Sequence, residues 1–213
     1  MGCGWTACLL AAALGESDSR RLSSPDLGEL LARMPHEKEF EREYRLAGVL
    51  ANRLAIPRGK PEPIHAGILA AFGWPDRIGK KRDGAEGRFL LSCGRGAGFR
   101  QAVPLARASF LVAPELDAGE KEAEIRLAAT VTETELLDYF SGQLRREYGI
   151  EVDRGKMTVR CIERLMLGKL VMAEKFDLNP APEAVRHAVC DFIRRETMII
   201  IPWPEEAHRW RER

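Results

Sequence analysis

The sequence predicts an α+β fold with a helical first third, a strand-rich middle and helices again at the end. Three observations carry this prediction. Apolar residues recur at spacings of three and four as far as Trp74. After residue 86 they fall in short Val, Ile, Leu and Phe runs bounded by Gly, Pro and charges. From Pro182 the helical period returns. With 213 residues, 45% hydrophobic and 31% charged, the chain is globular and long enough for one large or two modest cores.

The opening "WTACLLAAALG" reads as a buried helix with Leu9, Leu10, Ala13 and Leu14 on one stripe and Gly15 as its stop. It also imitates a secretory signal, although no basic residue precedes the apolar core. Gly2 and Thr6 further match the acylation pattern MGxxx[ST]. In "SSPDLGELLARM", Ser24 is the expected N-cap, Pro25 the first helical residue and Asp26 a favourable charge at the positive helix end. From Glu37 to Ala55, Phe40, Tyr44, Ala47, Ala51 and Leu54 share one face and predict a core stripe. "PIHAGILAAFGW" stays helical until the Trp74-Pro75 step. His65 in this segment reads as a packed or surface histidine before a catalytic one.

The strand candidates are "GRFLLSCG", "ASFLVAPEL", "EAEIRLAATVT" and "MTVRCIERLMLGKLVMAEKF". "DRGK" (153–156) and Leu167-Gly168-Lys169 offer turns, and Thr132 with Glu135 forms a capping box ahead of "LLDYF". Four to six short strands with one inserted helix suit a small closed barrel of the OB type, a sandwich being the alternative. "EAVRHAVCDFIRRE" and a short helix after "MIIIPWP" complete the chain.

Composition and motifs exclude several chemistries. No run of 18 apolar residues exists, so no membrane partner is expected. Five scattered cysteines fit a reducing cytoplasm and not a disulfide framework. No CxxC pair occurs, and no His lies near another His or beside a Cys, so no metal site is expected. The pairs Gly59-Lys60, Gly79-Lys80, Gly155-Lys156 and Gly168-Lys169 are never followed by Ser or Thr, as a phosphate-binding loop requires. "GRGAG" has Phe99 where a dinucleotide fingerprint needs its third glycine. "IIIPWPEEAH" mimics a strand ending in an acidic motor box, but Pro202, Trp203 and Pro204 separate strand from carboxylates. No catalytic residues are expected.

Charge is the positive signal. The formal net charge is only +1, yet residues 76–107 carry eight Lys/Arg against three Asp/Glu, and residues 113–138 carry two against eight. Arg77, Lys80, Lys81, Arg82, Arg88, Arg95 and Arg100, widened by Arg160 and Arg164 on a later strand, form a candidate track for the phosphates of single-stranded RNA or DNA. Contact with the acidic segment or another domain, and a plain solvated surface, are the competing readings. Phe89 and Phe99 are nearby stacking candidates, though strand aromatics are more often core.

"WPDRIGKKRDGAEGRFLLSCGRGA" resembles the segment that follows the helical accessory domain in HrpB-like bacterial DEAH-box helicases, with its Pro75-Asp76-Arg77-Ile78 step and Gly94-Arg95-Gly96-Ala97 turn. The likeness continues through "FLVAPELD", "EIRLAATVTETEL", "VRCIERLMLGKLVM" and the last helices; Cys93 departs from the Asn common in relatives. The resemblance implies a ratchet-like helical region at 1–85, an OB-like barrel at 86–178 and the start of a C-terminal region at 179–213. It implies helicase motor domains, in cis or in trans, as partners. The family's ATP and Mg²⁺ belong to those motors, so this chain is expected to need no cofactor and to hydrolyse no ATP. The accessory role has an alternative: a docking module for motor domains or another protein.

Overall fold

A computed structural model describes residues 2–16, 24–117, 122–153, 158–176 and 182–195. They divide into two compact units. One holds the residues up to Leu144 together with Leu167–Leu170, and the other holds Arg145–Met166 and the described residues from Val171 onward.

The first unit opens with four helices, α1 (Gly4–Glu16), α2 (Leu27–Arg33), α3 (Glu41–Arg53) and α4 (Ala66–Gly73). In α1, Trp5, Cys8, Leu9, Leu10, Ala12 and Ala13 are all buried, so the helix is enclosed on more than one stripe, while Leu14 is half-buried. Trp5 meets Tyr44 of α3 edge to face, ring centroids 5.6 Å apart. The N-cap of α2 is Asp26 and not Ser24: its carboxylate accepts from the Gly28 and Glu29 amides at 2.8 and 3.3 Å. Pro25 stays outside the helix because its carbonyl accepts from Ala128 N at 2.8 Å, a bond to the strand-rich part that local sequence cannot reveal. Phe40, Ala47 and Ala51 of the α3 stripe are buried, but Leu54 is 65% exposed, since the helix ends at Arg53. Helix α4 stops as expected, Trp74 N bonding Ala70 O at 2.9 Å ahead of Pro75.

Five strands follow: β1 (Ile78–Lys81), β2 (Arg88–Leu91), β3 (Gly96–Gly98), β4 (Phe110–Asp117) and β5 (Ala123–Thr130). They close into a barrel of order β1-β2-β3-β5-β4, antiparallel except for the parallel pair β3–β5. This is an OB-like barrel on an α+β chain. Its limits differ from the expected 86–178. It starts at Ile78, since "IGKK" pairs on both sides, with Leu91 and Val112, despite a sequence with no apolar alternation. It ends at Thr130, the later strands forming a separate sheet. The expected inserted helix, α5 (Glu133–Tyr139), therefore follows the barrel. Its capping box is formed by Thr132 and Glu135.

Phe89, Leu91, Ala97, Phe99, Leu105, Leu111, Ala113 and Ile125 fill the barrel. Phe89 and Phe99 meet edge to face at 6.1 Å, which makes both core residues. Each fully buried large side chain contributes about 1.5–3 kcal/mol.

The second sheet has order β6-β7-β8, from β6 (Leu144–Asp153), β7 (Thr158–Leu167) and β8 (Leu170–Phe176); α6 (Pro182–Arg195) comes after it. Gly168, at φ 59°, makes the β7–β8 turn where a turn was expected. The "DRGK" turn and the helix after "MIIIPWP" lie outside the described residues. Glu163, buried on β7, accepts from Arg146 of β6 at 2.8 Å and pairs with Lys175 of β8 at 2.7 Å, so one carboxylate spans three strands. Among the described residues no helix is long and apolar enough to cross a membrane.

The Lys175 ammonium and the Arg146 guanidinium hold the Glu163 carboxyl below its ordinary range, against the opposing effect of burial. A depressed folded value contributes stability above the unfolded carboxylate range, lost as pH falls through the folded value. The urea midpoint of Glu163→Gln is expected to lie below wild type at neutral pH and to converge with it in acid.

Candidate nucleic-acid interface

The basic stretch winds through three strands, so its side chains do not form one continuous track. Consecutive strand residues face opposite sides. Lys81 is paired with Phe89, on the inward-facing side at the strand end, whereas Lys80 is paired with Leu90 on the outer side. The Lys80 ammonium lies over the Phe110 ring, 5.6 Å from its centroid. Arg77 turns away to donate to the Pro114 carbonyl at the irregular centre of β4. The Pro-Asp-Arg-Ile step is otherwise occupied in backbone and hydroxyl bonding: Ser92 Oγ donates to Pro75 O at 2.6 Å, Cys93 N to Asp76 O at 3.2 Å and Ser92 N to Ile78 O at 2.7 Å.

Arg82, Arg88 and Arg100 do gather, around β3 and β5. Arg88 on β2 stands opposite Gly98, and Leu90 opposite Gly96. Both glycines lie on the outer side, and their missing side chains leave a trough over β3. Arg82 and Arg88 reach across it to Glu122, at 3.1 and 2.5 Å. A Cβ on Gly96 would stand 2.9 Å from Arg82 Nη2; one on Gly98 would stand 2.8 Å from Arg88 Cδ and 3.0 Å from the Gly87 carbonyl. Gly96 and Gly98 thus make room for arginines and do not cradle a phosphate by themselves.

The lattice continues along β5. Arg100 pairs with Glu124 at 2.6 Å, and Glu124 also pairs with Arg126 at 2.8 Å. Arg126 in turn donates twice to Asp117, whose carboxylate raises its guanidinium above its ordinary value. Beside Arg100 opens a cleft of about 700 Å³ lined by Phe99, Gln101, Pro104 and Arg107 among others. The basic and acidic segments meet on one barrel face.

Arg95 is exposed on the β2–β3 turn, its carbonyl accepting from Leu91 N at 2.8 Å. Arg164 belongs to the second unit, where it pairs with Glu174 at 2.6 Å. Arg160 is on β7, and its side chain lies outside the described residues. Sequence reasoning offered the acidic segment 113–138 as a competing contact for the basic residues but singled out none of Glu122, Glu124, Arg126 and Asp117. The period-two alternation Glu122, Glu124, Arg126 places them on one strand face, but their partners follow only from the pairing of β3 with β5.

The described Gly-Lys pairs differ in their surroundings. Gly79 faces the barrel core, where a Cβ would meet Leu111, Leu91 and Phe89 at 3.2–3.3 Å. Gly168-Lys169 occupies a hairpin turn, and Gly59-Lys60 runs into Pro61 in irregular chain. Neither Gly79-Lys80 nor Gly168-Lys169 leads into a helix N-terminus; Gly155-Lys156 lies outside the described residues.

No protein-family model matches the chain. The chain is 28% identical over 210 residues, 98% of its length, to ATP-dependent RNA helicase HrpB of Escherichia coli K12. Two crystal structures agree. One, of the E. coli DExH-box NTPase HrpB, superposes with a TM-score of 0.75 at 27% identity, covering 97% of this chain and 25% of that one. The other, of the E. coli DEAH/RHA helicase HrpB, gives 0.75 at 24% identity over 96% of this chain. The chain spans about a quarter of the length of these relatives, and it is homologous to a C-terminal portion of the E. coli protein.

Gly98→Ala is expected to cost about 1–3 kcal/mol of unfolding free energy by crowding Arg88 and the Gly87 carbonyl. Adding Arg88→Ala should restore part of that loss, a coupling of about 0.5–1 kcal/mol in a urea double-mutant cycle.

Proposed function

We propose that this chain is an accessory region of an HrpB-like ATP-dependent helicase that holds single-stranded nucleic acid on the outer face of its barrel, without chemistry of its own. What carries the reading is the trough over β3. Arg82 and Arg88 lie across it, Arg100 stands beside it, and each is oriented by a carboxylate before any ligand arrives. The two exposed pairs with Glu122 contribute only about 0–1 kcal/mol each, so a phosphate can displace that carboxylate at small cost. The cleft beside Arg100 has the size of a nucleotide-binding pocket. Lys80, on the outer side of β1, and Arg95, on the β2–β3 turn, extend the charge. The homology to a portion of a bacterial helicase supports a dependent, cytoplasmic role beside motor domains that supply ATP hydrolysis.

A second reading has its own observation. Phe72 at the end of α4 and Tyr139 at the end of α5 are 53% and 45% exposed and pack against each other, centroids 6.0 Å apart. Such an aromatic patch suits docking to a motor domain. Retention of the chain by separately expressed motor domains, lost in Phe72→Ser/Tyr139→Ser, would favour it.

For three to five phosphate contacts, log affinity for a labelled single strand should fall with log salt at a slope of roughly −2 to −3.5. Fluorescence anisotropy reads this directly. Glu122→Gln, which frees Arg82 and Arg88 from their carboxylate, should tighten binding, and Arg88→Ala should weaken it. No binding at low salt by folded protein, or no response to either substitution, refutes the reading. ATP turnover by the purified chain should be zero with or without nucleic acid in a phosphate-release assay.

A further inference from the structure

Outside the barrel, the helical layer brings together three side chains far apart in sequence. Cys3 Sγ, a Glu62 carboxylate oxygen and a His65 ring nitrogen all lie within 4.8 Å of one another. Cys3 is buried at the start of α1, its carbonyl accepting from Ala7 N at 2.9 Å. Glu62 and His65 bracket one 3-10 turn, His65 N bonding Glu62 O at 3.1 Å. One contact fastens that turn to α1 and another fastens the chain leading to it. Glu62 N donates to Thr6 Oγ1 at 3.0 Å, and Ile56 sits so close to Gly4 that a Cβ there would lie 2.9 Å from Ile56 Cγ2. Pro61 and Pro63 on either side of Glu62 restrict its backbone further.

The ring nitrogen turned to the carboxylate is Nε2, 3.3 Å from Glu62 Oε2. With the ring proton on Nδ1, Nε2 keeps the lone pair a metal requires, and one ion can take both atoms. Sulfur, nitrogen and carboxylate oxygen together form a zinc-type donor set, whereas calcium and magnesium select oxygen alone.

We propose that Cys3, Glu62 and His65 form a site for a zinc-class divalent ion, with water completing the coordination, that fastens the 62–65 turn to the start of α1. Tetrahedral zinc spaces its donors by roughly 3.5 Å, so binding draws the side chains slightly inward, the exposed Glu62 moving most. The Cys3 thiol releases its proton to solvent as the thiolate binds.

The test uses the 213-residue chain, stripped with a chelator and titrated with Co²⁺ as a spectroscopic probe. Wild type should take up one ion at this site, with a thiolate-to-cobalt charge-transfer band and the visible bands of tetrahedral Co²⁺. Cys3→Ser and His65→Ala should lose both, and Glu62→Gln should bind about 10–100-fold more weakly. Cys93→Ser and Cys190→Ser, which remove exposed thiols elsewhere, should keep the bands. Zn²⁺ should raise the Tm of wild type and leave that of Cys3→Ser unchanged. If Cys3→Ser fails to fold, His65→Cys decides: replacing nitrogen with a second thiolate should retain cobalt and strengthen the charge-transfer band. Folded wild type without the band, a band that survives Cys3→Ser, or a His65→Cys protein that binds no cobalt overturns the proposal.

Discussion

The barrel depends on one short pairing. Strand β3 is only Gly96–Gly98, yet it bonds antiparallel to β2 on one side and parallel to β5 on the other, and without it the sheet has two open edges. A strand of three residues has few backbone bonds to offer, so side chains on both faces reinforce it. Inside, Ala97 packs among Phe89, Phe99 and Ala123. Outside, Arg82 and Arg88 pass over the glycines to Glu122, tying the segments around β2 to the start of β5. Small residues at 96–98 serve both requirements at once.

This bears on what a basic segment signifies. Eight Lys/Arg within 76–107 suggest an open anion-binding stripe, but strand alternation divides them between faces, and Arg77 is committed to a backbone carbonyl within the protein. The arginines that do converge are held by Glu122 and Glu124. Such pairs add little stability at the surface. They do fix guanidinium positions, and fixed cations lose less entropy on meeting a phosphate than mobile ones. The near-neutral whole-chain charge and a locally oriented cationic face are therefore compatible.

The helical layer obeys a related constraint, since its segments are placed by partners distant in sequence. Pro25 belongs to a helix start by its local neighbours, but Ala128 on β5 claims its carbonyl and shifts the cap to Asp26. The chain at 54–62 has no apolar period of its own. Thr6, Gly4 and Trp5 hold it: Arg58 lies over the Trp5 ring at 5.8 Å, and Glu62 N bonds Thr6. The Cys3, Glu62 and His65 cluster is a product of that docking.

The sequence by itself determined what depends on near neighbours. The helices before Trp74, the Pro75 stop, the Thr132–Glu135 box, the Gly168 turn and the strand runs at 88–91, 110–117 and 123–130 each follow from periodicity, capping or turn chemistry within a few residues. The tertiary structure decided what depends on contacts across the chain. β1 is a strand because it has partners on both sides, although "IGKK" alternates nothing. Leu54 is exposed because α3 ends one residue before it. Glu122 is the counter-ion of Arg82 and Arg88 because β3 brings β5 alongside β2. Cys3 meets His65 because the loop before the helical segment of His65, with no signal of its own, docks on α1. Local free energies are written in consecutive residues, whereas these juxtapositions arise only once chain closure has placed distant segments side by side.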